Sequence, residues 1–241
     1  MDKLAAMSAE KDEKLFEWPP LESNPEVFTD YMHQVGLPSM YEIGDVYGFD
    51  EDLLGMVPQP VHAMVACYEG TDRVQEKKLG DAALASQVKY FMKQTGTLDN
   101  ACGIIACLHA ALNTPQVTIQ ISPESVLGKF YDTVKSESPM ARCVALENNS
   151  EFKNIHSSFA SRGQSAEINS DQSAVKCHYV AYILQGNKLL EMDGTKSGPH
   201  IVQEECTDVL RGTVAEIQRR LAAGEITDQI SLMTLHTSTF E

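Results

Sequence analysis

Lys93-Gln94-Thr95-Gly96-Thr97-Leu98-Asp99-Asn100-Ala101-Cys102-Gly103 runs straight into Ile104-Ile105-Ala106-Cys107-Leu108-His109-Ala110-Ala111-Leu112-Asn113. The second half reads as a helix, because Ile104, Ile105, Leu108, Ala111 and Leu112 recur at three- and four-residue spacing and mark one buried face. Asn100 is placed to cap that helix, which puts Cys102 in its first turn. Backbone N–H groups there point outward without helical partners, and the helix dipole favours negative charge. Such a setting favours the thiolate, the nucleophilic form of cysteine. Gln94, on the extended run before the helix, can bring a side-chain amide beside the Cys102 N–H. Two such donors are what a tetrahedral oxyanion needs.

A nucleophilic cysteine needs a base, and the base needs an orienting group. Both are found downstream. His178 opens Tyr179-Val180-Ala181-Tyr182-Ile183-Leu184, a strand by composition. Gln185-Gly186-Asn187 reads as a tight turn, and Lys188-Leu189-Leu190-Glu191-Met192-Asp193 returns antiparallel. In that hairpin His178 and Asp193 lie opposite each other or about one row apart, close enough for the carboxylate to hold the imidazole.

Asn100-Ala101-Cys102-Gly103 before an apolar helix containing Leu108-His109-Ala110 resembles the ubiquitin C-terminal hydrolase family. So do His178 on one strand and Leu189-Leu190-Glu191-Met192-Asp193-Gly194 on the next. Trp18-Pro19-Pro20-Leu21-Glu22-Ser23-Asn24-Pro25-Glu26-Val27, Asp45-Val46-Tyr47-Gly48 and Phe91-Met92-Lys93-Gln94-Thr95 match in the same order. The resemblance spans the chain from about Trp18 to the last strand. It implies Cys102 as nucleophile, His178 as general base, Asp193 as orienting group and Gln94 as oxyanion donor. It also implies Pro20 and Leu21 along the ubiquitin tail, with Glu22, Glu26 and Asp45 pairing with the tail's arginines. The fold it implies is a papain-like, α-β-α layered α+β arrangement, with a central, mostly antiparallel sheet flanked by helices and a knotted chain. The gap from Gln94 to Cys102 is eight residues, about two longer than the family usually shows. Gly96-Thr97-Leu98 reads as a small insertion, expected to bulge outward around Gly96.

Composition sets limits. The net charge of −15, from 19 basic and 34 acidic residues, argues against a nucleic-acid surface, which needs a basic patch. It suits a basic partner. The six cysteines, at 67, 102, 107, 143, 177 and 206, form no tight framework and read as free thiols of a reducing compartment, the cytoplasm with the nucleus as a second location. The charged start gives no signal peptide, and no apolar run suffices to cross a membrane. A cytoplasmic monomer without metal or organic cofactor is expected. Its partner is ubiquitin or a ubiquitin-like modifier.

Along the chain, residues 1–16 read as a flexible extension and 17–241 as one hydrolase domain. Asn24-Pro25-Glu26 starts a helix that Gly36 and Pro38 stop. Tyr41 to Tyr47 reads as a strand, Asp50 to Met56 as a short helix, Val61 to Tyr68 as a buried strand and Thr71 to Ser86 as a polar helical excursion. Ser122 caps a helix toward Val134, and another runs from Pro139 to Leu146. From 147 to 174 the periodicity fails, and a run that long inside a domain is commonly functional. The resemblance implies a crossover loop there, above the cleft. Thr207 caps a long helix ending at Gly224, and Ile230 to Leu235 closes the sheet, which should carry helices on both faces. Because the chain stops soon after that strand, the proteasome-docking extension of longer relatives is not expected.

Plainer roles suit the remaining candidates. Cys107, turned away from Cys102, reads as core, and Trp18 as a packing anchor. His33, His62, His109, His156, His200 and His236 carry no motif. Cys102, Cys107 and His109 fit no strong zinc spacing. Cys177 should point to the sheet face opposite His178. The expected function is thiol-dependent cleavage of small adducts or short peptides from ubiquitin's C-terminal glycine through an acyl-enzyme, within the ubiquitin conjugation pathway. The alternatives are a catalytically weak ubiquitin-binding module and a Cys-His-Asp hydrolase of a small molecule.

Overall fold

Strands that are apolar on both sides belong in the middle of a covered sheet, and two of this chain's strands are of that kind. In β2 (Val61–Gly70) Ala63, Val65 and Cys67 enter one core and Met64, Ala66 and Tyr68 the other. In β3 (Cys177–Gln185) Tyr179, Ala181 and Ile183 alternate with Val180 and Tyr182 in the same way. With β1 (Tyr41–Asp45), β4 (Lys188–Met192), β5 (His200–Gln203) and β6 (Ile226–Thr237) they form a six-stranded sheet in the order β1-β6-β2-β3-β4-β5. The computed structural model describes residues 16, 18–71, 80–160 and 177–238, and every ladder among them is antiparallel.

Helices cover both faces, as the interspersed elements require. Among the described residues the short α-helices are α2 (Glu51–Leu54) and α4 (Pro115–Thr118). α1 (Pro25–Val35), α3 (Cys102–Leu112), α5 (Val126–Val134), α6 (Pro139–Glu147) and α7 (Ser150–Ala160) share one core. On the other face α8 (Val209–Ala222) buries Leu210, Val214 and Ile217 against Met64, Tyr182 and Leu232. The result is the α-β-α layering expected from the sequence.

Local corrections concern the helix starts and the long aperiodic run. Asn24 caps α1 as read, its Oδ1 accepting from the Glu26 N–H at 2.9 Å. Asn100 does not cap α3. Gly96–Ala101 forms a 3-10 turn that feeds directly into the helix, and Ala101 holds the cap position with no side-chain bond. A turn of that kind leaves no extended residue whose side chain could fold back over the helix start. For α5 the cap is Ser125 rather than Ser122, with the Gly128 N–H donating to its hydroxyl at 3.0 Å. For α8 it is Asp208 rather than Thr207, with the Arg211 N–H donating to its carboxylate at 3.0 Å. α3 also shows no single apolar face: all 11 of its residues are buried, as for a helix enclosed on every side.

Ser150–Ala160 is helical, so the aperiodic reading of 147–174 fails over its first half. Phe152, Ile155 and Phe159 hold the core spacing, which the intervening Ser and Asn residues disguise. The expected crossover loop otherwise falls on 161–174, outside the described residues. Residues 1–15, 17 and 72–79 are likewise outside. Phe16 packs edge-on against Trp18 at 5.6 Å. The only helical turn found in the described part of the Thr71–Ser86 excursion is a 3-10 turn at Leu84–Ser86.

Candidate active site

The β3–β4 hairpin turns on Gly186-Asn187, with Gln185 paired to Lys188 and Ala181 to Met192. Continued one step, that register sets Asp193 beside Val180, so His178 is its diagonal neighbour rather than its direct partner. Diagonal residues share a face and lie within reach of long side chains. His178 Nε2 meets Asp193 Oδ1 at 2.9 Å. The same oxygen accepts from the Thr195 N–H at 2.9 Å and the Thr195 hydroxyl at 2.7 Å. Thr195 is a positioning residue that the sequence reading missed. Its signal was the Asp193-Gly194-Thr195 turn, in which an Asp side chain commonly bonds the backbone two residues on.

The electrostatics follow from these contacts. Asp193 is buried, which by itself favours the protonated acid. The bonds from His178 and Thr195 outweigh burial and hold the carboxyl down to about 2. An ionised carboxylate only accepts, so Nε2 of His178 carries the hydrogen and Nδ1 is left for the other neighbour, the Cys102 sulfur. Burial also works against charge on His178, but Asp193 and Cys102 raise it to about 10. The ring is therefore an imidazolium across the neutral range, held between a carboxylate and a sulfur.

Cys102 reaches that ring from the first residue of α3. It is 7% exposed, yet it borders a cleft of about 680 Å³ lined also by Pro20, Leu21, Glu22, Cys67, Cys177 and His178. Cys102 thus sits at a mouth open to a thin substrate. Gly103 lets the start of α3 pack closely on α1, since a Cβ there would stand 2.8 Å from the Phe28 ring. Cys177 borders the cleft together with His178, although alternation sets it on the sheet face opposite His178, the face shared by Cys67 and Tyr179. The cleft opens at the end of β3, where both sides of the strand are reachable.

Gln94 is packed into the wall of the site and is not among the residues lining the cleft. Its N–H donates to the Gly194 carbonyl at 2.9 Å, tying it to the turn that carries Asp193. Its side-chain Nε2 donates to the Asp99 carbonyl at 2.8 Å, so the added residues curl back and hold the amide. Gly96 starts that curl with φ 66°, a left-handed conformation that glycine adopts freely. Pro20, Leu21 and Glu22 line the cleft. Glu26 stands exposed at the start of α1 and is not among the residues lining the cleft. Asp45 lies in an adjoining depression with Tyr47, Phe49 and Ser231, where burial raises its carboxyl. A hydroxyl bond of 2.8 Å from Ser23 to Ser231 joins the two hollows.

The other candidates are structural. Trp18 is fully buried. Cys107 is buried, and desolvation pushes its thiol up. His109 Nε2 accepts from the Met92 N–H at 3.1 Å, and burial lowers the ring to about 4. His156, on α7, donates from Nε2 to the Pro19 carbonyl at 2.7 Å and packs on Trp18 at 4.8 Å. It thereby anchors the segment that forms one cleft wall. Among the described residues no cluster of three ligating side chains could hold a metal ion, and no helix is long and apolar enough to cross a membrane.

A cysteine at the mouth of a buried helix, faced by an imidazole–carboxylate pair on an antiparallel sheet, defines a cysteine hydrolase of papain-like layout. The sequence profile of the ubiquitin carboxyl-terminal hydrolases, family 1, matches residues 18–222, and the chain belongs to that family of thiol peptidases. It is 37% identical to ubiquitin carboxyl-terminal hydrolase 3 of Arabidopsis thaliana over 188 residues, covering 76% of this chain and 77% of the relative. With the ubiquitin carboxyl-terminal hydrolase of Drosophila melanogaster it shares 32% over 189 residues, 76% of this chain and 80% of that one. The catalytic domain of Trichinella spiralis UCH37, solved bound to ubiquitin vinyl methyl ester, superposes with a TM-score of 0.74 at 21% identity, covering 93% of this chain and 97% of that one. That likeness establishes the fold.

Proposed function

We propose that the cleft receives the C-terminal tail of ubiquitin or a ubiquitin-like modifier, and that Cys102 cleaves small adducts or short peptides from its last glycine. Cys102 attacks the carbonyl as a thiolate. The imidazolium of His178 gives its proton to the leaving amine or alcohol. The neutral ring then takes a proton from water, which attacks the thioester and releases Cys102. Asp193, fixed by Thr195, keeps the ring oriented and stabilises its charge. The Cys102 N–H and the Gln94 amide steady the oxyanion. Pro20 and Leu21 lie along the tail, with Glu22, Glu26 and Asp45 attracting its arginines. No metal or organic cofactor takes part. The enzyme acts as a monomer in the cytoplasm or nucleus, in keeping with its six free cysteines.

One observation carries this reading: a cleft in which Cys102, His178 and the Pro20–Glu22 segment meet, in a chain of this family. The test is turnover of a ubiquitin C-terminal fluorogenic amide by the wild type and by Cys102→Ala. Turnover that disappears in the variant while ubiquitin binding persists is the expected result. Binding without turnover in the wild type would make the protein a ubiquitin-binding module. Neither binding nor turnover would point to a small-molecule hydrolase.

A further inference from the structure

Three sulfurs border the cleft, and the proposed chemistry uses only one of them. Cys67 on β2 and Cys177 at the first position of β3 line it with Cys102. In the β2–β3 ladder Cys67 pairs with Tyr179 and Glu69 with Cys177. The two cysteines are thus one diagonal step apart, and the two-residue alternation sets both on the same face. Both side chains open onto the same cleft. Their surroundings differ: Cys67 is 6% exposed, while Cys177 is exposed. An accessible thiol with a sheltered one beside it is the arrangement in which oxidation of the first is resolved by the second.

We propose that Cys67 and Cys177 form a reversible disulfide across β2 and β3, made by hydrogen peroxide and opened by dithiols, which obstructs the cleft leading to Cys102. Peroxide first oxidises Cys177. A sulfur–oxygen bond forms, the peroxide O–O bond breaks, and the thiol proton leaves with the departing hydroxide as water. The Cys67 sulfur then attacks the Cys177 sulfur, the sulfur–oxygen bond breaks, and the Cys67 proton leaves with that hydroxide as a second water. One peroxide takes two electrons from two thiols, and a dithiol such as dithiothreitol returns them by exchange. Diagonal strand positions lie about 7–8 Å apart, beyond what a disulfide spans without backbone movement, so closing the bond must draw the end of β3 toward β2. The residue drawn in is the neighbour of His178, and the bond itself occupies the cleft wall.

The disulfide stands on the cysteine geometry alone. Its effect on ubiquitin rests on the proposed function. The test uses the full chain carrying Cys102→Ser, so that oxidation of the nucleophile does not contribute. After peroxide, intact mass should fall by two hydrogens, and a non-reducing digest should yield a peptide linking Cys67 to Cys177. Both should reverse with dithiothreitol and be missing in Cys67→Ser and Cys177→Ser. Ubiquitin affinity of the oxidised protein should fall roughly tenfold or more and recover on reduction. Oxygen addition without the linked peptide overturns the disulfide. A linked peptide with unchanged affinity overturns the obstruction. Failure of the reduced protein to bind ubiquitin counts against the proposed function, and the mass readout still decides the disulfide.

Discussion

Two side chains at the site make predictions of their own. Against burial, Asp193 and Cys102 together hold His178 protonated up to about 10, and the working form pairs that imidazolium with a thiolate. Activity should therefore fall on the alkaline side as His178 loses its proton. In Asp193→Asn the charge that raises the imidazole is gone, so the alkaline limb of kcat/KM should move to lower pH while turnover drops. A limb that stays in place would mean that another group sets it. Gln94→Ala should lower kcat by about 100- to 1,000-fold with KM little changed, the usual loss for one oxyanion donor. A loss below about tenfold would show that the amide held by Asp99 serves only to fix the loop.

The elements differ in how openly the sequence announces them. The β3–β4 hairpin was legible because Gly186-Asn187 and flanking β-branched and aromatic residues act locally, and so was the pairing of His178 with Asp193. Helix starts were less so: Asn100, Ser122 and Thr207 are good capping residues, but which candidate caps depends on where the backbone turns. α7 was hidden because Ser and Asn, weak helix formers, fill four of its polar positions. Its contact with Pro19 spans 137 residues, a distance over which no pattern speaks. That contact is testable. His156→Gln should loosen the Pro20–Glu22 wall, raising KM several-fold while kcat holds. A lowered melting temperature with unchanged KM would confine His156 to stability. Burial lowers His156 to about 4, below its ordinary value near 6.5. The unfolded chain therefore binds its proton first, and stability drops as pH falls from about 6.5 to about 4. That drop should be shallower in the variant, as read by denaturant unfolding across pH.

At the scale of the molecule, the net charge of −15 and the acids near the cleft favour a cationic tail, and such attraction is screened by salt. Glu22→Lys combined with Asp45→Lys should raise KM markedly and flatten its dependence on ionic strength. An unchanged KM would remove both residues from the substrate path. The layered architecture was legible in outline, since strands apolar on both sides demand helices on both faces. The strand order was not, because β6 inserts between β1 and β2 from the far end of the chain.

With three thiols around one cleft, the central claim is that Cys102 alone is the nucleophile for the ubiquitin carbonyl. The direct measurement is the mass and digest of the protein after reaction with ubiquitin carrying a C-terminal vinyl methyl ester. The account predicts one adduct per chain, attached to Cys102 and lost in Cys102→Ala. An adduct on Cys67 or Cys177, or none in the wild type, would contradict it.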